Sequence, residues 1–151
     1  MATRPGFFVE LSGQKEVIAG LRKCGARYMF AYVQAFKAML LEVEERVRRS
    51  IVEQGLQREG ELRDSVRARI LSLNTSGIEG EVRVSVVYAA IHEFGGIITA
   101  KREYLVFQLD DGEWVRTKSV AIPARPYFQP VIESMLPHIN EILVQNMKRF
   151  L

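Results

Sequence analysis

The chain has 151 residues, of which 48% are hydrophobic and 26% are charged, and its formal net charge is +3. This composition is typical of a globular protein and argues against intrinsic disorder, and the length suits a single domain over residues 1–151. Lys and Arg alternate with Glu and Asp, as in Glu42–Arg49, which indicates a solvated helix surface and not the clustered cations of a nucleic-acid-binding element.

Cys24 is the only cysteine, so no disulfide can form within the chain and nothing points to an oxidising compartment. Its neighbours Val17 and Leu21 predict that the thiol is a small buried hydrophobic group. The N-terminal residues lack the pattern of a secretory signal, and no apolar run approaches the roughly twenty residues that span a bilayer. We therefore expect a protein that is made in a cytoplasm and contacts no membrane.

The first predicted elements are short. An apolar run from Phe7 to Leu11 predicts an edge strand, and Ser12 is suited to cap the helix that follows. The apolar residues on one side of that helix are Val17, Ile18 and Leu21. Gly25 then predicts a break or a bend before the next element.

The longest periodic segment follows Gly25 and predicts one amphipathic helix of about 25 to 28 residues, about 40 Å long at 1.5 Å per residue. Gln54 and Gly55 are expected to end it, because glycine suits a left-handed C-terminal cap. The apolar side chains recur at steps of three and four: Met29, Tyr32, Val33, Phe36, Met39, Leu40, Val43, Val47 and Ile51.

The middle of the chain has the pattern of an antiparallel sheet. After a polar connection from Arg58 to Asp64, Val66 begins a segment that we expect to be extended, with alternate residues on one side. Residues 74–77 predict a turn. Glu81–Val86 then alternates strictly, which predicts a strand with one wet and one dry face.

A hairpin is predicted further along, where Tyr104–Phe107 and Trp114–Val115 flank Asp110–Gly112. The Asp-Gly step in that turn favours a tight connection between two strands. The preceding segment, Gly95–Glu103, is predicted to be a loop.

The last segment, from Tyr127, is helical in pattern, and Pro137 inside it predicts a kink or a restart. The fold class that results is α+β: a long N-terminal helix and a C-terminal helix packed on one face of a small antiparallel sheet, with a protruding hairpin loop. The apolar stripe of the last helix is Val131, Ile132, Met135, Leu136, Ile139, Ile142, Leu143, Met147 and Phe150.

Residues that carry chemistry are few. The only histidines are His92 and His138, and neither has another His or Cys at metal-ligand spacing, so we expect no metal and no cofactor. His92 adjoins Glu93, but neighbours on a strand point to opposite faces, so we expect a structural role for His92 near a strand end. The sequence predicts no catalytic residue and no enzyme, and a hydrolase that uses His92 and Glu93 is the weakest interpretation.

Four segments in order carry a resemblance to a known family: Gly60–Ser65, Tyr88–Gly96, Tyr104–Trp114 and Ile122–Phe128. The first is similar to a Gly-x-Leu-Arg-x-Ser element, and the second to a Tyr-Ala-x-x-His/Val-Glu/Gln-Phe-Gly strand end. The last is similar to a Pro-Ala-Arg-Pro-Phe/Tyr approach to the final helix. Over residues 28–150 the chain resembles tail-component proteins of lambda-like phages and virion morphogenesis proteins of Mu-like phages.

The resemblance implies a structural virion protein for tail completion or head–tail joining. Several copies, commonly forming a hexamer, would make a ring at the neck of the particle. The partners implied are other copies of the chain, the capsid connector or head-closure protein, and the tail-tube or tail-terminator protein. The protein would be made in the host bacterial cytoplasm and bind no specific nucleic acid, although DNA would pass through the ring.

The candidate interface residues lie on two segments. Ring interfaces are heterologous, so a projecting element must fit a different patch on the neighbour, although a mobile hairpin without a partner is the alternative. Arg125 is suited either to clamp a carboxylate across a subunit boundary or to pin the last helix to its own sheet. The projecting element is expected to present Gly95, Gly96, Ile97, Ile98, Lys101 and Arg102.

A small nucleic-acid-binding module without catalysis is the alternative function. The net positive charge and the aromatic residues Tyr28, Phe30, Tyr32 and Phe36 motivate it, because aromatic rings form stacking platforms for single strands. Their helical spacing favours core packing for some of them. Such a module would bind with an affinity that falls steeply as salt rises.

Overall fold

The computed structural model describes residues 6–9 (backbone), 14–56, 60–75, 77–109 and 111–151. Its centre is a three-stranded antiparallel sheet in the order β1–β3–β2. The strands are β1 (Gly6–Val9), β2 (Val66–Leu73) and β3 (Ile78–Val84). The predicted edge strand near the N-terminus is confirmed, whereas the predicted cap at Ser12 lies outside the described residues.

Helices cover one face of this sheet, and two short ribbons extend the chain beyond it. The long helix α2 contacts β2, β3, α5 and α6, which confirms the predicted α+β architecture. The helices are α1 (Gln14–Cys24), α2 (Ala26–Glu53), α3 (Glu61–Asp64), α4 (Ala89–Phe94), α5 (Gln129–Met135) and α6 (Ile139–Lys148). The ribbons pair β4 (Gly96–Thr99) with β7 (Ser119–Ile122), and β5 (Leu105–Gln108) with β6 (Trp114–Thr117).

Helix α2 has the length and the ends that its sequence predicts. It spans 28 residues and begins directly after Gly25, whose φ of 109° breaks the chain from α1. At its C-terminus Gly55 adopts φ 68°, and the N–H groups of Gly55 and Leu56 donate to the carbonyls of Val52 and Ile51. This is a Schellman cap, which satisfies carbonyls that the helix itself leaves free.

The sheet and α2 approach each other closely at Gly80 on β3. A Cβ built at Gly80 would lie 2.9 Å from Cε1 of Phe36 and would also overlap the Leu40 side chain. Only a residue without a side chain fits there, so Gly80 lets the helix stripe settle directly on the strand. Phe36 and Leu40 are buried as a result.

The C-terminal segment restarts at Pro137 as predicted. A 3₁₀ turn at Leu136–His138 separates α5 from α6, because proline supplies no donor for a continuous helix. Helix α6 then packs along α2. The apolar stripe predicted for the last helix is wrong at two positions. Leu136, in the 3₁₀ turn, and Phe150, beyond the end of α6, have exposed side chains.

The prediction that Cys24 is buried is wrong. Its thiol is exposed at the end of α1, and Val17, seven residues earlier and therefore on the same side of the helix, is exposed too. Ile18 is the residue of α1 that is fully buried. The helix packs on α2 through a narrower strip than its apolar residues suggested.

Two predictions for the sheet region also need correction. The expected polar connection holds a helical turn, α3, because Leu62 is buried in the core; residues 57–59 lie outside the described chain. The second predicted strand begins at Ile78 and ends at Val84, and its wet face is incomplete because Glu81 is buried beneath the paired Arg69 side chain. The extended segment after Val66 is confirmed as β2.

Candidate assembly interface

A long hairpin in two parts extends from the core, and we call it the arm (residues 96–122). Strands β4 and β7 form the part next to the body, and β5 and β6 form the outer part. The Ala100 N–H donates to the Lys118 carbonyl (2.8 Å) and joins the two ribbons. None of the arm's described residues is buried, whereas every buried hydrophobic side chain lies in the body, the described residues up to Phe94 and from Tyr127 onward.

The expectation of a loop over Gly95–Glu103 is therefore only partly correct. Gly96–Thr99 is a β-strand, and residues 101–103 form the bend between β4 and β5. The strand that pairs with β4, Ser119–Ile122, follows some twenty residues later, so the local sequence pattern did not disclose the pairing. The hairpin predicted beyond the bend is confirmed as β5 and β6, although Asp110 in its turn lies outside the described residues.

The outer ribbon carries apolar side chains on both of its faces. The register places Leu105 opposite Thr117 and Phe107 opposite Val115, which gives one apolar face. The other face carries Val106 and Trp114, which are 61% and 67% exposed. A two-stranded ribbon is marginally stable alone in water. In this chain the first face is only half-buried and the second is exposed. Such a surface is typical of a segment that docks on a partner.

One aromatic contact stiffens the outer ribbon. The guanidinium of Arg116 lies over the Tyr104 ring, 3.8 Å from its centroid. Arg116 shares its face with Trp114 and Val106 because their positions alternate along paired strands. This face therefore combines apolar area with a cation.

The base of the arm is fixed by Glu93, whose importance the sequence did not disclose. Glu93 lies on α4 and is only 3% exposed. Its Oε2 accepts the N–H groups of Tyr127 and Phe128 (2.9 Å each), and its Oε1 accepts that of Gln129 (2.8 Å). A buried carboxylate with three charge-assisted hydrogen bonds is satisfied, and here it ties α4 to the start of α5.

The two segments that lead into and out of the arm also lie close together at its base. Gly95 has φ 69°, and a Cβ there would lie 2.7 Å from the Ala124 nitrogen, so only glycine fits. Gly96, at φ 152°, pairs with Ile122. The Arg125 N–H donates to the His92 carbonyl (2.7 Å) just beyond this point. Arm and body are therefore joined by a short, tightly packed neck.

The structure gives His92 and Glu93 no shared chemistry. Both lie on α4, so the predicted place of His92 at a strand end is wrong. Burial, and then the positive charge of Arg125, lower the pKa of the His92 imidazole, whose ring makes an edge contact with Tyr88. Because both Glu93 oxygens accept backbone N–H groups, nothing here supports the hydrolase interpretation.

The predicted interface residues fall on the arm and at its base. Gly95 and Gly96 form the neck, and β4 carries Ile97 and Ile98, which are exposed and lie opposite Ala121 and Val120. Lys101 and Arg102 occupy the exposed bend, and Arg125 is exposed after β7. None of these three cations makes an ion pair with another described residue.

Further exposed arm residues were missed as interface candidates, although the sequence carries a signal for them. Tyr104, Val106, Leu109 and Trp114 all have exposed side chains. Strands of a surface hairpin usually alternate apolar and polar residues, whereas Leu105, Val106 and Phe107 are consecutive apolar residues. An unbroken apolar run in a two-stranded ribbon is the pattern that indicates docking on both faces.

The aromatic residues at the start of α2 do not form a stacking platform. Tyr32 and Phe36 are buried in the core, as their spacing predicted for some of the four. Tyr28 and Phe30 are exposed, but residues two apart on a helix face different directions. This arrangement lends no support to binding of single-stranded nucleic acid.

The part of the chain that the structure describes contains neither a cluster of metal-ligating side chains nor a helix suited to spanning a bilayer. No group of three or more His, Cys, Asp or Glu side chains there is arranged to hold a metal ion. No helix within those ranges combines the length and the apolar character needed to cross a bilayer.

Comparison with known proteins gives one match. The model of the phage virion morphogenesis family matches residues 34–148, which include the arm, the neck and most of the body. No curated protein and no solved structure matches the chain. The family is one of structural and assembly proteins and is not known for catalysis. Since the match covers well over half of the sequence, the chain belongs to the phage virion morphogenesis family, and its role lies in the structure and assembly of a bacteriophage virion.

Proposed function

We propose that this protein is a tail-completion or head–tail joining component that forms a ring, with a hexamer expected, at the neck of a tailed phage of the lambda-like or Mu-like type. The arm is the observation that carries the proposal. It presents apolar side chains on both faces of its outer ribbon and buries none of its described residues in its own chain. A partner surface is needed to cover them.

A ring accounts for this asymmetry between arm and body. In a heterologous assembly, a projecting element on one copy meets a different surface on the next, and the rotation closes the circle. The neck of the arm suits that role, because Glu93 and Gly95 hold the direction in which the arm leaves the body. Repeated copies would then present the same geometry around the ring.

The ring would have two further sets of contacts, one above it and one below. On the head side the partner would be the connector or head-closure protein, and on the tail side the tail-tube or tail-terminator protein. DNA would pass through the centre without sequence-specific contact, consistent with the mild net charge of +3. The role needs neither catalysis nor a cofactor.

The proposal is tested by joining of heads and tails. A phage that lacks this gene should accumulate filled heads and finished tails that remain separate, and the purified protein added to that extract should restore infectious particles. Antibody labelling in the electron microscope should place the protein at the head–tail junction. Absence of finished tails, or label on the capsid faces or tail tip, would contradict the proposed place.

A variant with a shortened arm tests whether the arm is the part of the protein that assembles. Replacing residues 100–118 by a short Gly-containing turn removes the outer ribbon and keeps β4, β7 and the Glu93 anchor. Because the outer ribbon contributes no buried residue, the variant should fold and unfold like the full chain. It should fail to form rings and fail to join heads to tails.

A further inference from the structure

A second exposed apolar surface lies on the body, where α2 crosses the free edge of β2. It is a cleft of about 350 Å³. Leu40 forms its buried floor and Leu41 an exposed part of its rim. Lys37 and Arg69 flank it with positive charge, and Arg69 uses its Nε for Glu81, which leaves two guanidinium nitrogens as further donors. We call this the α2–β2 cleft; its lining is Lys37, Leu40, Leu41, Ala68, Arg69 and Ile70.

The neighbouring stretch of the β2 edge is already covered. Glu44 accepts the Ala68 N–H, and Arg48 donates to the Val66 carbonyl (2.9 Å). These side chains blunt the edge and discourage pairing with another strand there. Leu71 and Leu73, further along the same strand, are exposed as well. What remains open is therefore a defined site beside the covered part.

We propose that the tip of the arm (Leu109 and residues 111–114) of one copy occupies the α2–β2 cleft of the next copy, an inference that rests on the proposed ring. The tip offers Leu109 and Trp114 as exposed apolar groups. It also carries the exposed carboxylates Asp111 and Glu113. The cleft combines an apolar floor with two cations, and the tip combines two apolar side chains with two carboxylates that lie between them in sequence. The two surfaces are therefore complementary in charge and in apolar character, and such complementarity selects one partner.

The position of the cleft suits a neighbouring copy. Gln54 Nε2 donates to the Pro126 carbonyl (3.4 Å), so the arm returns to the body at the C-terminal end of α2. Leu40 lies fourteen residues earlier on the same helix, about 21 Å away at 1.5 Å per residue. The arm and the cleft are therefore different patches on one chain, as a heterologous interface requires.

Cross-linking between two differently tagged chains tests the contact. Cys24 is first replaced by Ser, because its exposed thiol would react. One chain then carries Leu41→Cys and the other Trp114→Cys, with Leu109→Cys as a second tip variant in case Trp114 is needed for assembly. Mild oxidation of the mixture should give a cross-linked heterodimer in the ring and in virions. Val144→Cys on α6, similarly exposed, replaces Leu41→Cys as the control and should give none.

Charge exchange gives an independent test of the same pairing. Lys37→Glu on the cleft, or Glu113→Lys on the tip, should each weaken association about tenfold by placing like charges together. The two changes in one chain should restore it, and the departure from additivity measures the contact. Arg69 is left unchanged because Glu81, which it pairs with, is buried.

The outcomes separate this inference from the proposed function. Rings and joined particles without a cross-link from either tip variant to Leu41→Cys would overturn the docking site. The proposed role in head–tail joining would then still stand. A cross-link to the Val144→Cys control at equal yield would also overturn it. If the wild-type chain forms no ring and joins no heads to tails, both proposals fail.

Discussion

The body and the arm differ in how many of their apolar side chains they bury. In the body, a 28-residue helix lies across a sheet, and side chains from α2, β3, α5 and α6 share one core. In the arm, more than twenty residues form two ribbons that bury none of their described side chains. The body buries a core of apolar side chains within the chain, whereas no described apolar side chain of the arm is fully buried. The contrast supports the proposal that folding depends on the body and assembly on the arm.

The neck keeps the two regions mechanically connected. Glu93 holds the N–H groups of residues 127–129, and Gly95 lies against the backbone at Ala124. If the comparison is correct, substitutions in the body should change the free energy of unfolding, and substitutions in the outer arm should change association.

The largest contrast is expected between two aromatic truncations. Phe36→Ala removes a side chain that is 2% exposed and packs against Gly80, and should lower the free energy of unfolding by about 3–5 kcal/mol. Trp114→Ala removes an exposed ring and should change it by less than about 0.5 kcal/mol. Urea unfolding monitored by circular dichroism measures both. Similar losses for the two variants would break the comparison.

The neck should give the next largest effect. Glu93→Gln retains the shape but leaves a single acceptor oxygen for N–H groups that now use two, so at least one buried donor loses its partner. We expect a loss of about 2–3 kcal/mol in the free energy of unfolding. Glu133→Gln on α5, an exposed carboxylate, is the matched control and should be near neutral. An unchanged free energy of unfolding in Glu93→Gln would show that the Glu93 hydrogen bonds do not stabilise the base of the arm.

A smaller effect is expected at high pH from the body's buried tyrosine. Burial, and then the Glu93 carboxylate, raise the pKa of Tyr127. The unfolded chain therefore loses this proton first, so the stability that depends on it is present below about pH 10 and falls as the pH rises further. Tyr127→Phe should reduce the slope of unfolding free energy against pH by up to about 1.4 kcal/mol per unit.

Tyr104→Phe provides the control for that experiment, because it removes a hydroxyl from an exposed ring in the arm. Denaturant melts between pH 9 and pH 11 would compare the two variants with the wild-type chain. An unchanged slope in Tyr127→Phe would mean that the hydroxyl is not buried as described.

The smallest effect on stability should come from the bend. Lys101→Glu together with Arg102→Glu changes two exposed side chains that make no ion pair with another described residue, so unfolding should be unchanged within about 0.5 kcal/mol. Assembly should be impaired if the bend meets an acidic neighbour. Light scattering and particle counts measure this, and normal particle formation would exclude the bend from the interface.

The sequence predicted most of the body because its signals are local. The three-and-four spacing of α2, the glycines at both of its ends and the restart at Pro137 each depend on a few adjacent residues. Cys24 was misplaced because an eleven-residue helix with apolar residues on adjacent faces does not say which face meets α2. That choice is made by packing with another element.

The neck and β4 could not be predicted for a related reason. The N–H groups that Glu93 accepts lie more than thirty residues along the chain, and the partner of Gly96–Thr99 is equally non-local. The candidate interface at Ile97, Ile98, Lys101 and Arg102 is shown by the structure to be exposed, and its use as an interface stays a prediction. The unbroken apolar run at Leu105–Phe107 was the available signal for the outer arm.

The central claim is most directly tested by the fluorescence of Trp114, the only tryptophan in the chain. In the isolated chain its indole is 67% exposed, so emission should be at long wavelength and acrylamide should quench it readily. When the protein assembles into rings, the emission should shift to shorter wavelength and the quenching should fall, because the indole of Trp114 becomes buried in the neighbouring copy. An indole already protected in the isolated chain, or one still fully quenched in assembled rings, would contradict the account.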